Sequence, residues 1–198
     1  MTLPAERPRR GTPDETRARL VQATAAELEE RGYHGTDSNR IAKAAGYAPG
    51  TFYKHFADKK AAFLAAYDAW AGEEWDAIER LMGEGLPAKK LAGALVALLV
   101  SHHRRSRGTR ASLRALVALD DDVRAHHRAA RSRQVARLSA LGPPSKRRVR
   151  EGALLMLLVE RVCDAIADDE LASLGLTEAD ARAHLERELA AYLGAHAS

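Results

Sequence analysis

The sequence predicts an all-α chain of about nine helices. Three observations carry this. Alanine, the best helix former, occurs 40 times in 198 residues. Aromatic residues make up only 5% of the chain, and β-branched runs that would favour strands are missing. Apolar residues recur three or four positions apart between Gly and Pro breaks.

The elements follow in order. Residues 1–12 hold two prolines with Arg7, Arg9 and Arg10, a composition that buries nothing and reads as a flexible basic arm. Asp14 and Glu15 suit a helix start, at its positive end. Leu20, Val21, Thr24 and Leu28 continue that helix until Gly32 stops it. Thr36 or Asp37 caps a second short helix through Ala45, ended by Gly46. Pro49 opens a third, extending to His55, at a first-turn position where its missing N–H costs little. Asp58 caps a fourth, with Phe63, Tyr67 and Trp70 on one stripe. Breaks at Gly83, Gly85 and Pro87, at Gly108, and at Gly142-Pro143-Pro144 bound helices near 88–103, 109–119, 121–141 and 145–167. Thr177 with Asp180 forms a capping box for the last helix.

Composition limits the function classes. No stretch approaches the roughly 18 apolar residues of a membrane span, and the N-terminus lacks the apolar core of a signal peptide. A cytoplasmic location is expected. Cys163 is the only cysteine, so no internal disulfide or cysteine-based metal cage is expected. No phosphate-binding glycine loop, G-x-S-x-G or His-Glu-x-x-His is present, so no enzyme, cofactor or metal is expected. The adjacent pairs His102-His103 and His126-His127 diverge by about 100° on a helix and cannot chelate together. The net charge of +4 hides an asymmetry. Residues 101–150 carry a large basic excess and residues 151–198 an acidic one. Mutual pairing is the expected use of that excess; attraction of DNA or of an anionic ligand are the others.

The segment from Ser38 to Lys60 carries the chemistry. Ile41 and Ala45 share the inner face of one short helix, and Phe52 and Phe56 that of the next. Gly46 supplies a left-handed turn between them. This is a helix-turn-helix pattern. With Phe52 and Phe56 inward, Gly50, Thr51, Tyr53 and Lys54 point outward and His55 lies at the edge. Hydroxyls and a lysine suit phosphates, and Thr, Lys or His can read base edges. Asn39 on the preceding helix could read an adenine edge.

The stretch IAKAAGYAPGTFYKHFADKKAAFL, with Gly32, Tyr33 and Thr36 before it, resembles the TetR family of bacterial transcriptional regulators. Ile41, Ala42, Ala45, Gly46, Gly50, Thr51, Tyr53, His55, Phe56, Asp58, Lys59 and Leu64 match the family pattern. Asp37, Asn39, Tyr47, Ala48 and Lys60 depart from it. The resemblance implies a three-helix DNA-binding domain at 13–58, a ligand-binding and dimerisation domain at 59–198, and a homodimer. It implies DNA contacts at Thr36, Thr51, Tyr53, Lys54, His55 and Lys59. Asp37 is expected to act as a cap, since a carboxylate repels phosphate.

The remainder then reads as an apolar cavity for a small, mainly apolar effector. Candidate lining residues are Phe63, Tyr67, Trp70, Leu95, Leu99, His102, Leu113, Leu116, Val117, Met156, Glu160 and Cys163. Tyr67 and Trp70 stand out because each offers a flat face and a polar tip. A helix apolar nearly all round needs burial on both sides. Leu154, Leu157, Leu158, Val162 and Ile166, with Leu185, Leu189 and Tyr192 on the last helix, are therefore the expected dimer face. The function implied is a ligand-responsive repressor that binds a palindromic duplex operator. An activator, or a helical small-molecule-binding protein without a sequence-specific DNA role, are the alternatives.

Overall fold

The computed structural model describes residues 11–140 and 145–195, so the arginines of the basic arm and the Gly142-Pro143-Pro144 break lie outside the described residues. The described residues are helical, without strands. They form α1 (Pro13–Gly35), α2 (Ser38–Ala44), α3 (Pro49–Phe52), α4 (Lys59–Met82), α5 (Ala88–Arg105), α6 (Arg107–Leu119), α7 (Asp121–Ala140), α8 (Lys146–Ala167), a 3-10 turn (Leu171–Leu174) and α9 (Glu178–Ala195).

The helix ends follow from local chemistry. Thr12 and Glu15 form a reciprocal capping box at α1. The Asp37 carboxylate accepts the backbone N–H groups of Asn39 and Arg40, each at 2.9 Å, and so caps α2. Asp58 accepts from Ala61 N at 2.7 Å at the start of α4. Thr177 and Asp180 form the box expected before α9. One element is shorter than the sequence suggests. α3 ends at Phe52, and residues 53–55 continue as turns, with Lys54 N and His55 N bonding three residues back.

The chain divides into two compact units. The first comprises residues up to Ala71 together with Gly108–Arg124; the second comprises Gly72–Arg107 and Ala125 onward. The bonding accounts for the place of Gly108–Arg124 in the first unit. Glu29 accepts Gly108 N at 2.7 Å and Thr109 N at 2.8 Å, satisfying two free donors at the start of α6. Ser112 Oγ accepts Tyr33 N at 3.0 Å. Lys60 donates to Asp122 at 2.6 Å and to Asp120 at 3.2 Å. These bonds tie α6 and the start of α7 to α1 and the start of α4.

The core of the first unit holds Leu20, Ala23, Ile41, Ala42, Phe52, Phe56 and Ala62. A buried Phe such as Phe52 contributes about 1.5–3 kcal/mol relative to exposure. The second unit has its own core, built from α5, α8 and α9 around Leu95, Val96, Leu99, Val100, Cys163 and Leu185. Several of its arginines pair internally: Arg104 with Glu178, Arg107 with Asp168, Arg131 with Glu160, and Arg137 with Asp76 and Glu79.

These contacts set an acid limit. The Arg137 guanidinium holds Glu79 below the ordinary carboxylate value. Arg182, and then Arg104, do the same for Glu178. Hydrogen bonds from Thr177 lower Asp180, and the Val123 N–H, with Lys60, lowers Asp120. A depressed folded pKa gives stability that is present above the unfolded value of about 4 and is lost as pH falls through the folded values. The urea midpoint is therefore expected to hold from pH 7 to about 5 and to fall steadily below about 4. Urea titrations across that range check this, and a flat midpoint down to about pH 3 would contradict it.

Candidate functional site

The first site is the α2–α3 hairpin. Gly46, at φ +81°, makes the turn that lets α3 fold back on α2, and Tyr47 N closes it on Ala42 O at 2.8 Å. Phe52 and Phe56 are buried beneath the hairpin, their rings 5.6 Å apart, with the Arg17 guanidinium over Phe56. The face opposite them is open. Asn39, Gly50, Tyr53 and Lys54 are exposed, whereas Thr51 and His55 are half-buried. Tyr53 is 57% exposed, and its hydroxyl donates to Ser38 Oγ at 3.1 Å, which ties the end of α3 to the start of α2. A Cβ added at Gly50 would meet no atom within 4 Å. The arrangement presents hydroxyl, amide and ammonium donors on a rigid apolar base, as phosphate and base-edge contacts require.

Two residues of the implied contact set are engaged inside the chain. Thr36, expected as a DNA contact, is buried, and its hydroxyl donates to Glu27 at 2.8 Å. Lys59 Nζ donates to Tyr33 O at 2.7 Å and Thr36 O at 2.9 Å and lies over the Tyr33 ring. Burial there lowers its pKa. Lys59 thus clamps the α1–α2 connection.

Residues 20–66 match the family model of the bacterial regulatory proteins of the tetR family. That segment, about a quarter of the chain, is similar to the tetR family. The chain is also 33% identical over 84 residues to the fatty acid metabolism regulator protein of Bacillus subtilis (strain 168). That match takes in 42% of the chain and about two fifths (41%) of the relative's length. Its fold is similar to that of a crystal structure from Mesorhizobium loti MAFF303099 assigned to the TetR family, with a TM-score of 0.74 at 18% identity, covering 94% of this chain and 99% of that one. It is similar also to the fatty acid degradation regulator FadR of Bacillus halodurans, with a TM-score of 0.61 at 18% identity, covering 94% and 97%.

The second unit contains a cavity of about 290 Å³. Helix α5 lays Leu91, Leu95, Leu99 and His103 along it, four residues apart on one face. Helix α4 adds Glu74, Trp75, Ile78 and Met82, and α8 adds Arg148, Met156, Val159 and Glu160. Gln134 and Leu138 of α7 and Leu189, Tyr192 and Leu193 of α9 complete the wall. The lining is apolar except for a few convergent groups, as small-molecule sites are. Tyr192 Oη donates to Arg148 O at 3.4 Å.

Leu95, Leu99, Met156 and Glu160 are thus the expected lining residues that meet at this cavity. Phe63, Tyr67, Trp70, Leu113, Leu116 and Val117 belong to the other compact unit. There Phe63 packs edge-on to Tyr33, and Arg110 lies over Trp70. Cys163 is fully buried within the core of the second unit. His102 lines a separate, polar pocket with Glu73, Asp76 and Arg105. The sequence reading missed Glu74, Trp75, His103, Gln134 and Arg148. A signal existed for His103, which continues the Leu91-Leu95-Leu99 stripe by one more step of four.

The expected dimer residues also separate. Leu154 and Leu157 are 67% and 55% exposed, three apart on α8, while Leu158 and Val162 are half-buried. Ile166, Leu185 and Leu189, also expected on a subunit face, are buried within the chain's own second core. Among the described residues no group of three or more His, Cys, Asp or Glu could hold a metal ion, and no helix is long and apolar enough to cross a membrane.

Proposed function

We propose that the chain is a repressor that binds a palindromic duplex operator as a homodimer and is released by a small, mainly apolar molecule held in the second unit. The observation that carries the reading is the exposed row of Asn39, Gly50, Tyr53 and Lys54 above buried Phe52 and Phe56. A helix-turn-helix dimer reads two half-sites about 34–36 Å apart, one turn of duplex. The exposed Leu154 and Leu157 of α8 supply an apolar strip for the partner copy. The 290 Å³ cavity supplies room for the effector. The name of the Bacillus subtilis relative, a fatty acid metabolism regulator, is in keeping with a largely aliphatic effector. Release requires that the effector bind the non-operator conformer more tightly than the operator-bound one.

Selection from random duplexes, followed by anisotropy titration at fixed salt, tests this. Lys54→Ala is expected to weaken the selected site by about 1–3 kcal/mol, roughly fivefold to 150-fold. Tyr53→Ala is expected to weaken all duplexes alike. A folded, paired double variant with operator affinity within about twofold of the parent would end the proposal.

A further inference from the structure

The cavity of the second unit is long and thin. Leu91 and His103 both line it and stand twelve positions apart on α5, about 18 Å at 1.5 Å per residue. A volume of 290 Å³ spread over that length has a mean section of about 16 Å². Carbon atoms in contact stand about 4 Å apart, so one polymethylene chain fills such a section and a saturated ring exceeds it. At about 30 Å³ for each heavy atom, the share of one water molecule in the liquid, the space holds about ten. Between its ends α5 supplies Leu95 and Leu99, α4 Ile78, and α8 Met156 and Val159, so the track is apolar along its middle.

The end remote from His103 is shaped by a glycine. Asp164 Oδ1 lies 3.0 Å from His103 Nδ1, which fixes the register of α8 against α5. Gly152 stands twelve positions before Asp164 on α8, the same step that separates Leu91 from His103. Gly152 and Leu91 therefore both lie about 18 Å from that contact, and both line the cavity. A Cβ on Gly152 would stand 2.5 Å from Leu138 Cδ2 and 2.6 Å from Tyr192 Oη. Leu138 of α7 and Tyr192 of α9 thus rest on bare α8 backbone and wall that end. Glycine inside a helix is destabilising relative to alanine, and alanine is the residue this chain uses most often. The seating of these two side chains is what requires the exception at 152.

We infer that the cavity takes a single unbranched aliphatic chain of about ten carbons, and that Gly152, through Tyr192 and Leu138, sets its greatest length. The inference rests on the cavity being the effector site and adds the shape and size of the effector. A methyl group at 152 displaces both side chains toward the cavity they line and shortens it.

The full-length Trp70→Phe chain, in which Trp75 on the cavity wall is the sole tryptophan, is titrated with 1-hexanol, 1-octanol, 1-decanol, 1-dodecanol and cyclodecanol. Trp75 fluorescence and calorimetry give the affinities. Each added methylene is expected to tighten binding about fourfold as far as 1-decanol. The step to 1-dodecanol is expected to gain nothing. Cyclodecanol is expected to bind about tenfold or more weakly than 1-decanol once both are scaled by their partition between water and octanol. On this background Gly152→Ala is expected to bring the break down to 1-octanol. Tyr192→Ala, which opens the same wall, is expected to let 1-dodecanol bind more tightly than 1-decanol. Cyclodecanol equal to 1-decanol on that scale, or a rise that continues to 1-dodecanol without Tyr192→Ala, overturns the single-chain assignment. A folded Gly152→Ala chain whose break stays at 1-decanol overturns the role of Gly152. If that variant does not fold, an unmoved break in Tyr192→Ala does so instead. Alcohols that bind as ranked but leave operator affinity unchanged overturn release and keep the cavity assignment. Silence toward all five overturns both.

Discussion

Gly108→Val is expected to destabilise the first unit by about 3 kcal/mol or more. A Cβ at this position would stand 2.4 Å from Leu28 O and 2.6 Å from the Glu29 Cα, both backbone atoms of α1. Neither can rotate away, so α6 must move as a body. Overpacking of this kind costs about 1–3 kcal/mol. The displacement also strips Glu29 from Gly108 N and Thr109 N, and Ser112 Oγ from Tyr33 N. Each such bond contributes about 1 kcal/mol net, more where the acceptor is charged. Gly72→Ala supplies the contrast. Its Cβ meets nothing within 4 Å inside α4, so the exchange is expected to stabilise by about 0.5–1 kcal/mol. Urea unfolding of both variants checks the pair. A Gly108→Val chain as stable as the parent would mean that α6 does not rest on α1 at this point.

Asp164→Ala is expected to cost the second unit about 3–5 kcal/mol, the usual result of removing one member of a buried pair. His103 lies at the junction of α4, α5 and α8 with no exposure to solvent. Without the carboxylate, its Nδ1–H loses an acceptor that water cannot replace. Asp164→Asn keeps an oxygen at nearly the same place and is expected to recover more than half of the loss. Equilibrium unfolding monitored by Trp75 fluorescence measures both. A loss below about 1 kcal/mol for the alanine variant would show that the pair does not hold this junction together.

The hairpin was legible in the sequence because everything that makes it is local. Gly46, the Asp37 cap and the spacing of Ile41, Ala45, Phe52 and Phe56 lie within twenty residues. The cavity depends on distant pairings. His103 and Asp164 are 61 positions apart, and nothing in either neighbourhood announces the other. Helix α4 concealed the second difficulty. Its apolar residues run without a break from Phe63 to Met82, yet Tyr67 and Trp70 serve one unit and Trp75 and Ile78 the other. Periodicity assigns a face to a helix; it does not divide that face between two cores. Thr36 and Lys59 illustrate a third limit. A hydroxyl and an ammonium in the right stretch of chain resemble phosphate donors, and only the fold shows them bonded to Glu27 and to two carbonyl oxygens.

The vacant surround of Gly50 bears on descent as well as on binding. Since a Cβ there would meet no atom of its own chain within 4 Å, a small side chain can be added at this position without a steric penalty. Descendant sequences can therefore alter the outward face of the hairpin by exchanging one solvent-facing residue, while Phe52 and Phe56 keep the scaffold unchanged.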